Sequence, residues 1–138
     1  MCLQIDLSIH KEKNKGGITP RSIILTKPMT VWKVVLKVDI DNVISIHRHF
    51  RYKRGRDHSI GKTKIDKVWY NDKFYVKKGF HAYKSRGVAR REKNVCWGYG
   101  GKPKSVCKFL FPIGSTVFFG IEGDIVSNRI TFPKILKK

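Results

Sequence analysis

What most limits the fold of this chain is that its apolar residues come in short β-branched and aromatic runs. SIILT, TVWKVVLKV, VCKFLFP, STVFFGI and DIVSNRITF are each closed by turn-forming residues. Branched and aromatic side chains pack well on a pleated surface, so such runs predict strands. TVWKVVLKV and NVISIHRHF flank DIDN, whose Asp and Asn residues suit a turn between antiparallel strands. Extended, the second run sets Val43, Ser45, His47 and His49 on one side and Ile44, Ile46, Arg48 and Phe50 on the other. KVWYNDKFYVKKG predicts a hairpin with Asn71 and Asp72 at its tip. MCLQIDLSI predicts a short strand that gives way to a loop in the following Lys/Asn/Gly run. Residues 51–65, RYKRGRDHSIGKTKI, predict a long exposed loop.

One segment carries a helical signature. In SRGVARREK, Ser85 can cap the first turn and Ala89 to Lys93 favour helix, although Gly87 weakens it. The expectation is therefore an α+β fold: a single sheet-rich domain over residues 1–138, mainly antiparallel, with one short helix near residues 85–93. A chain of 138 residues can bury about 65 to 70% of its unfolded surface, enough for a core.

Charge constrains function more than fold. Thirty Lys and Arg against ten Asp and Glu give a net charge of +20. Self-repulsion on that scale weakens a compact state, which points to an anionic partner: nucleic acid, or an acidic protein surface. The longest apolar-leaning region is broken by Lys27, Pro28, Lys33 and Lys37, so no membrane span or membrane partner is expected. Three cysteines and no recognisable signal peptide fit a soluble protein in a reducing intracellular setting.

Two basic clusters stand out. HRHFRYKRGR carries Arg48, Arg51, Lys53, Arg54 and Arg56, interleaved with Phe50 and Tyr52. Arg forks suit phosphate oxygens and the rings could stack on exposed bases; the competing reading is a solvated strand end with Phe50 in the core. The second cluster is Lys84, Arg86, Arg90, Arg91 and Lys93, in which helical spacing puts Arg86, Arg90 and Lys93 on one face and turns Val88 inward. A plain solvated helix competes here too.

Other constellations are weaker. His47 and His49 with Cys96 and Cys107 could be written as a zinc site, but the spacing matches no standard module and no metal is expected. An amino-terminal Cys2 nucleophile is a remote option. GYGGKPKS lacks the spacing of a phosphate-binding loop. Glu122 and Asp124 could polarise a hydroxyl or hold a cation, yet Glu-Gly-Asp between two strands is also good turn chemistry.

The motif order VWKVV, GFHAYKSRGVA, KFLFPIGSTVFFG and DIVSNRI, over roughly residues 30 to 130, resembles a group of small uncharacterised proteins of phages and large DNA viruses. It also loosely resembles the ADP-ribosyltransferase fold. That resemblance implies that His81 and Tyr83 flank a nicotinamide pocket, that Glu122 orients the ribose, and that NAD is the cofactor. The Arg or His expected at the end of the first strand is replaced by Lys33 and Lys37, implying a scaffold without activity.

Three functions follow as expectations. The first is a noncatalytic basic viral accessory protein that holds nucleic acid by its phosphates without sequence preference and needs no cofactor. The second is an ADP-ribosyltransferase-like protein. The third is a minor virion or assembly component. The setting would be host cytoplasm, nucleus or virion.

Overall fold

A computed structural model describes residues 3–14, 17–45, 50–61, 64–68, 73–95 and 104–134. In chain order the elements are β1 (Leu3–Gln4), α1 (Leu7–His10), β2 (Lys11–Asn14), β3 (Gly17–Pro20), β4 (Ile23–Ile24), β5 (Met29–Lys37), β6 (Asn42–Ser45) and β7 (Arg51–Lys53). They continue as β8 (Asp57–Ser59), β9 (Lys64–Val68), β10 (Lys73–Lys78), β11 (Phe80–Tyr83), α2 (Arg86–Val95), β12 (Lys104–Phe111), β13 (Thr116–Phe119), β14 (Asp124–Ser127) and β15 (Arg129–Thr131).

Among the described residues, ten strands form one antiparallel sheet in the order β4-β13-β14-β11-β5-β12-β15-β8, with β6 and β7 branching from β5. β5 organises it. β12 pairs with most of its length on one edge, while β11 and then β6 share the other. Its side chains alternate in the way the period of a strand demands. Val31 and Val35 enter the main core with Tyr52, Phe80, Phe109, Phe111, Ile130 and Phe132, whereas Trp32, Val34 and Leu36 meet α2 through Ala89. Both faces of β5 are thus covered, which is why its sequence shows little polar alternation.

A three-stranded sheet, β1-β10-β9, places Leu3, Ile5 and Val76 against Phe118 and Val126. The outer face of the large sheet therefore carries this small sheet over β13 and β14 and the helix α2 over β5. Asp39 fixes the turn between β5 and β6, its carboxylate accepting from the Asp41 N–H (2.8 Å) and the Asn42 side-chain amide (2.9 Å). Gly123, at φ +81°, makes the turn between β13 and β14.

The sheet-rich, mainly antiparallel expectation holds, with three corrections. A second helix, α1, follows β1, because Asp6 caps it: its carboxylate accepts from the Ser8 N–H (3.0 Å) and the Ser8 hydroxyl (2.6 Å). The Lys/Asn/Gly run expected as loop instead pairs as the β2–β3 hairpin. Residues 51–65 are not a long loop but hold β7, β8 and the start of β9. Tyr52 and His58 turn inward to meet Phe109 and Phe50, and Gly55, at φ +80°, allows the tight corner between β7 and β8. In β6, Val43, Ile44 and Ser45 are all buried, because Val43 enters the main core on one side of the sheet and Ile44 meets Ala89 of α2 on the other. The hairpin tip at Asn71 and Asp72 lies outside the described residues.

Candidate nucleic-acid interface

Strand register decides which side chains share a face, since directly opposed residues of an antiparallel pair project together. Leu36 opposes Ile44, and Ile44 opposes Arg51; Asn42 opposes Lys53. Leu36 and Ile44 pack under α2, so Arg51 and Lys53 project from the same outer face that carries the helix. On the other side of β5, Lys108 opposes Trp32 and also stands on this face. Three strand spacings of about 4.8 Å put β7 and β12 roughly 14 Å apart, with β5 and its helix between them.

α2 adds its own cations. Ser85 caps it, its hydroxyl accepting from the Val88 N–H (3.2 Å), and Ala89 is fully buried beneath it. That seating leaves Arg86, Arg90 and Arg91 exposed, with Lys84 exposed just before the cap. The Arg86 guanidinium lies over the ring of half-buried Trp32, 5.6 Å from its centroid. Among the described residues, none of Arg51, Lys53, Lys84, Arg90, Arg91 and Lys108 is ion-paired. The two basic clusters of the sequence thus meet on one face.

Not every predicted contact belongs there. Tyr52 is 3% exposed, edge-on to Phe109 at 5.1 Å between ring centroids, and burial pushes its phenol far up. A ring so enclosed cannot stack on a base, so it is a core residue. Arg54 is a clamp rather than a phosphate ligand. Its Nε and Nη2 donate to the Ile40 carbonyl (2.9 and 2.7 Å), its Nη1 donates to the Pro133 carbonyl (3.0 Å), and its plane lies 4.1 Å from the Phe132 ring centroid. Arg56 is exposed in the corner before β8. Arg48 lies outside the described residues; Lys93 falls within α2, but the position of its side chain is not described. Phe50, which the competing reading put in the core, is 41% exposed while resting against Tyr52. Trp32 and Lys108 were missed: VWKVV and VCKF gave no charge run, and only the β5–β12 register joins them.

Beyond α2 the outer face changes sign. A cleft of about 200 Å³ is lined by Gln4, Tyr75, Tyr83, Glu92, Ile121, Glu122 and Asp124. It lies between the small sheet and the helix, floored by the cross-strand pair Tyr83 and Asp124. Burial holds the Asp124 carboxyl above the usual carboxylate range, and the charges of Glu122 and Glu92 push the same way. Tyr83 and Glu122 share this cleft; His81, on the same strand face as Tyr83, is not among its lining residues.

Lys33 points the other way, into the core. It is 8% exposed, donates to the His81 carbonyl and lies 5.5 Å from the Tyr52 ring centroid; burial lowers its pKa to about 8. Cys107, opposite Lys33, packs on the main core, and burial pushes its thiol up. The other members of the zinc arrangement, His47, His49 and Cys96, lie outside the described residues. Among the described residues, no group of three His, Cys, Asp or Glu could hold a metal ion, and no helix is long and apolar enough to cross a membrane. Comparison of the chain with family models, curated proteins and solved structures finds no match.

Proposed function

We propose that the protein binds nucleic acid through phosphate contacts on the α2 face, with little sequence preference, as a basic accessory protein of the viral kind its motif order resembles. The observation that carries this reading is the convergence of Arg51 and Lys53 from β7, Lys108 from β12 and Arg86, Arg90 and Arg91 from α2 on one outer face. Cations on backbone oxygens supply affinity but carry no base information. An acidic protein surface would meet the same charges, and the test separates the two. The protein is purified at low salt with and without nuclease, and its absorbance at 260 nm compared. Excess absorbance that nuclease removes is expected. Protein that emerges clean and ignores added DNA and RNA, yet binds polyglutamate, would overturn the nucleic-acid reading in favour of an acidic partner.

A second reading, an ADP-ribosyltransferase-like protein using NAD, draws on one observation: Tyr83 and Glu122 line the same cleft. Against it, Glu92, Glu122 and Asp124 together repel a pyrophosphate. Thermal protection by millimolar NAD, with turnover lost in Glu122→Gln, is what this reading expects; no protection would remove it.

A further inference from the structure

Within the outer face one residue can do more than attract phosphate. Trp32 sits within the cross-strand row Lys108, Trp32, Tyr83, Asp124, with a cation opposite it on one neighbouring strand and a second aromatic residue opposite it on the other. It packs on the Val34, Leu36, Ile44 and Ala89 cluster yet remains half-buried rather than enclosed. The Arg86 guanidinium already lies over that ring. Planar cation, indole and neighbouring exposed lysine are the parts from which base-stacking sites are made: the ring takes a base, and the surrounding cations take the phosphates on either side of it.

A duplex cannot use such a site, because its bases are stacked inward and only their edges reach a groove. An unpaired strand can. The acidic cleft past Tyr83 bounds the basic face on that side, since Glu92, Glu122 and Asp124 repel phosphate.

We propose that Trp32 is a stacking platform for an unpaired base, so that the ligand of the basic face is single-stranded nucleic acid. This rests on the nucleic-acid reading above. The recognised chemistry is a base with its flanking phosphates, common to DNA and RNA.

The test is fluorescence anisotropy with labelled oligo-dT, oligo-U and a DNA duplex of matched phosphate number, on wild type, Trp32→Leu and Arg86→Lys. Leucine keeps apolar bulk over the cluster, and circular dichroism checks the fold. Arg86→Lys keeps the charge and removes the planar stack, so it stands if the leucine variant fails to fold. Wild type is expected to favour the single strands by about tenfold, the scale of one base–aromatic stack. Both variants are expected to lose most of that preference while still binding duplex. The ranking of oligo-dT against oligo-U names the polymer, and a single-strand preference for either supports the proposal. Equal binding of single strand and duplex, or variants that keep the preference, would overturn the proposal while leaving phosphate binding intact. Binding to none of the three would overturn both.

Discussion

Ile44 and Arg51 face each other directly across the β6–β7 pair, and Ile44 packs with Ala89 beneath α2. The Arg51 side chain therefore leaves the sheet on the side of the helix. This relation turns two charge clusters, far apart in the sequence, into one surface.

Arg54 separates structure from binding within the same basic run. It donates to the Ile40 and Pro133 carbonyls and pairs with the Asp41 carboxylate (3.6 Å), and charged hydrogen bonds such as those to the carbonyls are each worth about 1.5 to 3 kcal/mol. Arg54→Ala is expected to cost about 3 kcal/mol in urea denaturation and to leave nucleic-acid affinity unchanged in the folded variant. Arg51→Glu with Lys53→Glu is expected to do the reverse. A stable Arg54→Ala protein would contradict the assigned clamp.

Burying Lys33 costs stability. The folded protein holds it at a pKa of about 8 against an ordinary 10.5, so between those values the unfolded chain binds more protons and stability rises with pH. At pH 7 the lysine is charged in both states, and the displacement corresponds to about 3 kcal/mol of unfavourable burial. Removing the bond to the His81 carbonyl gives back about 1 kcal/mol. Lys33→Met should therefore gain about 2 kcal/mol at pH 7, measured by chemical denaturation, and the gain should shrink by pH 10. A variant less stable than wild type at pH 7 would refute this.

How much of this was visible beforehand follows from the range of the interactions. Periodicity along the chain located the long strands and the Ser85-capped helix, because a strand period of two and a side-chain cap are local signals. β7 and β8 escaped notice because each is three residues long, and it is Phe109 and Phe50, distant or outside the strands, that give Tyr52 and His58 a reason to turn inward. The cations were equally visible, but composition cannot tell a clamp from a ligand: Arg54 and Arg51 look alike until the Pro133 carbonyl arrives from the far end of the chain. Trp32 gave no signal at all, since its partners Lys108 and Arg86 reach it through register and helix placement.

His10 should make the N-terminal segment acid-sensitive. It is 2% exposed, its Nδ1–H donating to the Arg21 carbonyl (2.8 Å) and its Nε2 accepting from the Phe119 N–H (2.8 Å), which requires a neutral ring. Burial holds its pKa below 6.5, an effect that the nearby Asp6 charge offsets in part. The unfolded segment therefore takes up a proton first, and stability falls as pH drops below about 6.5. Hydrogen exchange is expected to show the Phe119 and Asp6 amides losing protection as pH falls below 6.5 while Val35 keeps its own. Unchanged protection at Phe119 down to pH 5 would contradict the prediction.

The carboxyl of Asp124 offers the opposite sign. Its folded-state pKa is raised, so the folded state gains stability as pH falls from that raised value toward the ordinary 3.8. Asp124→Asn is expected to raise the melting temperature slightly at pH 7, by under about 1 kcal/mol of stability given solvent screening, with the advantage gone by pH 4. A loss of stability at pH 7 would show that the charge is needed in the cleft.

The most direct test of the shared cationic face is the salt dependence of binding to a labelled oligo-dT, followed by anisotropy from low to physiological ionic strength. About five phosphates neutralised by the exposed Lys and Arg of β7, α2 and β12 predict a log–log slope of roughly −3, reduced by about one when Arg51 and Lys53 are both replaced by Ala. A slope near zero, or no binding at the lowest salt, would contradict the account.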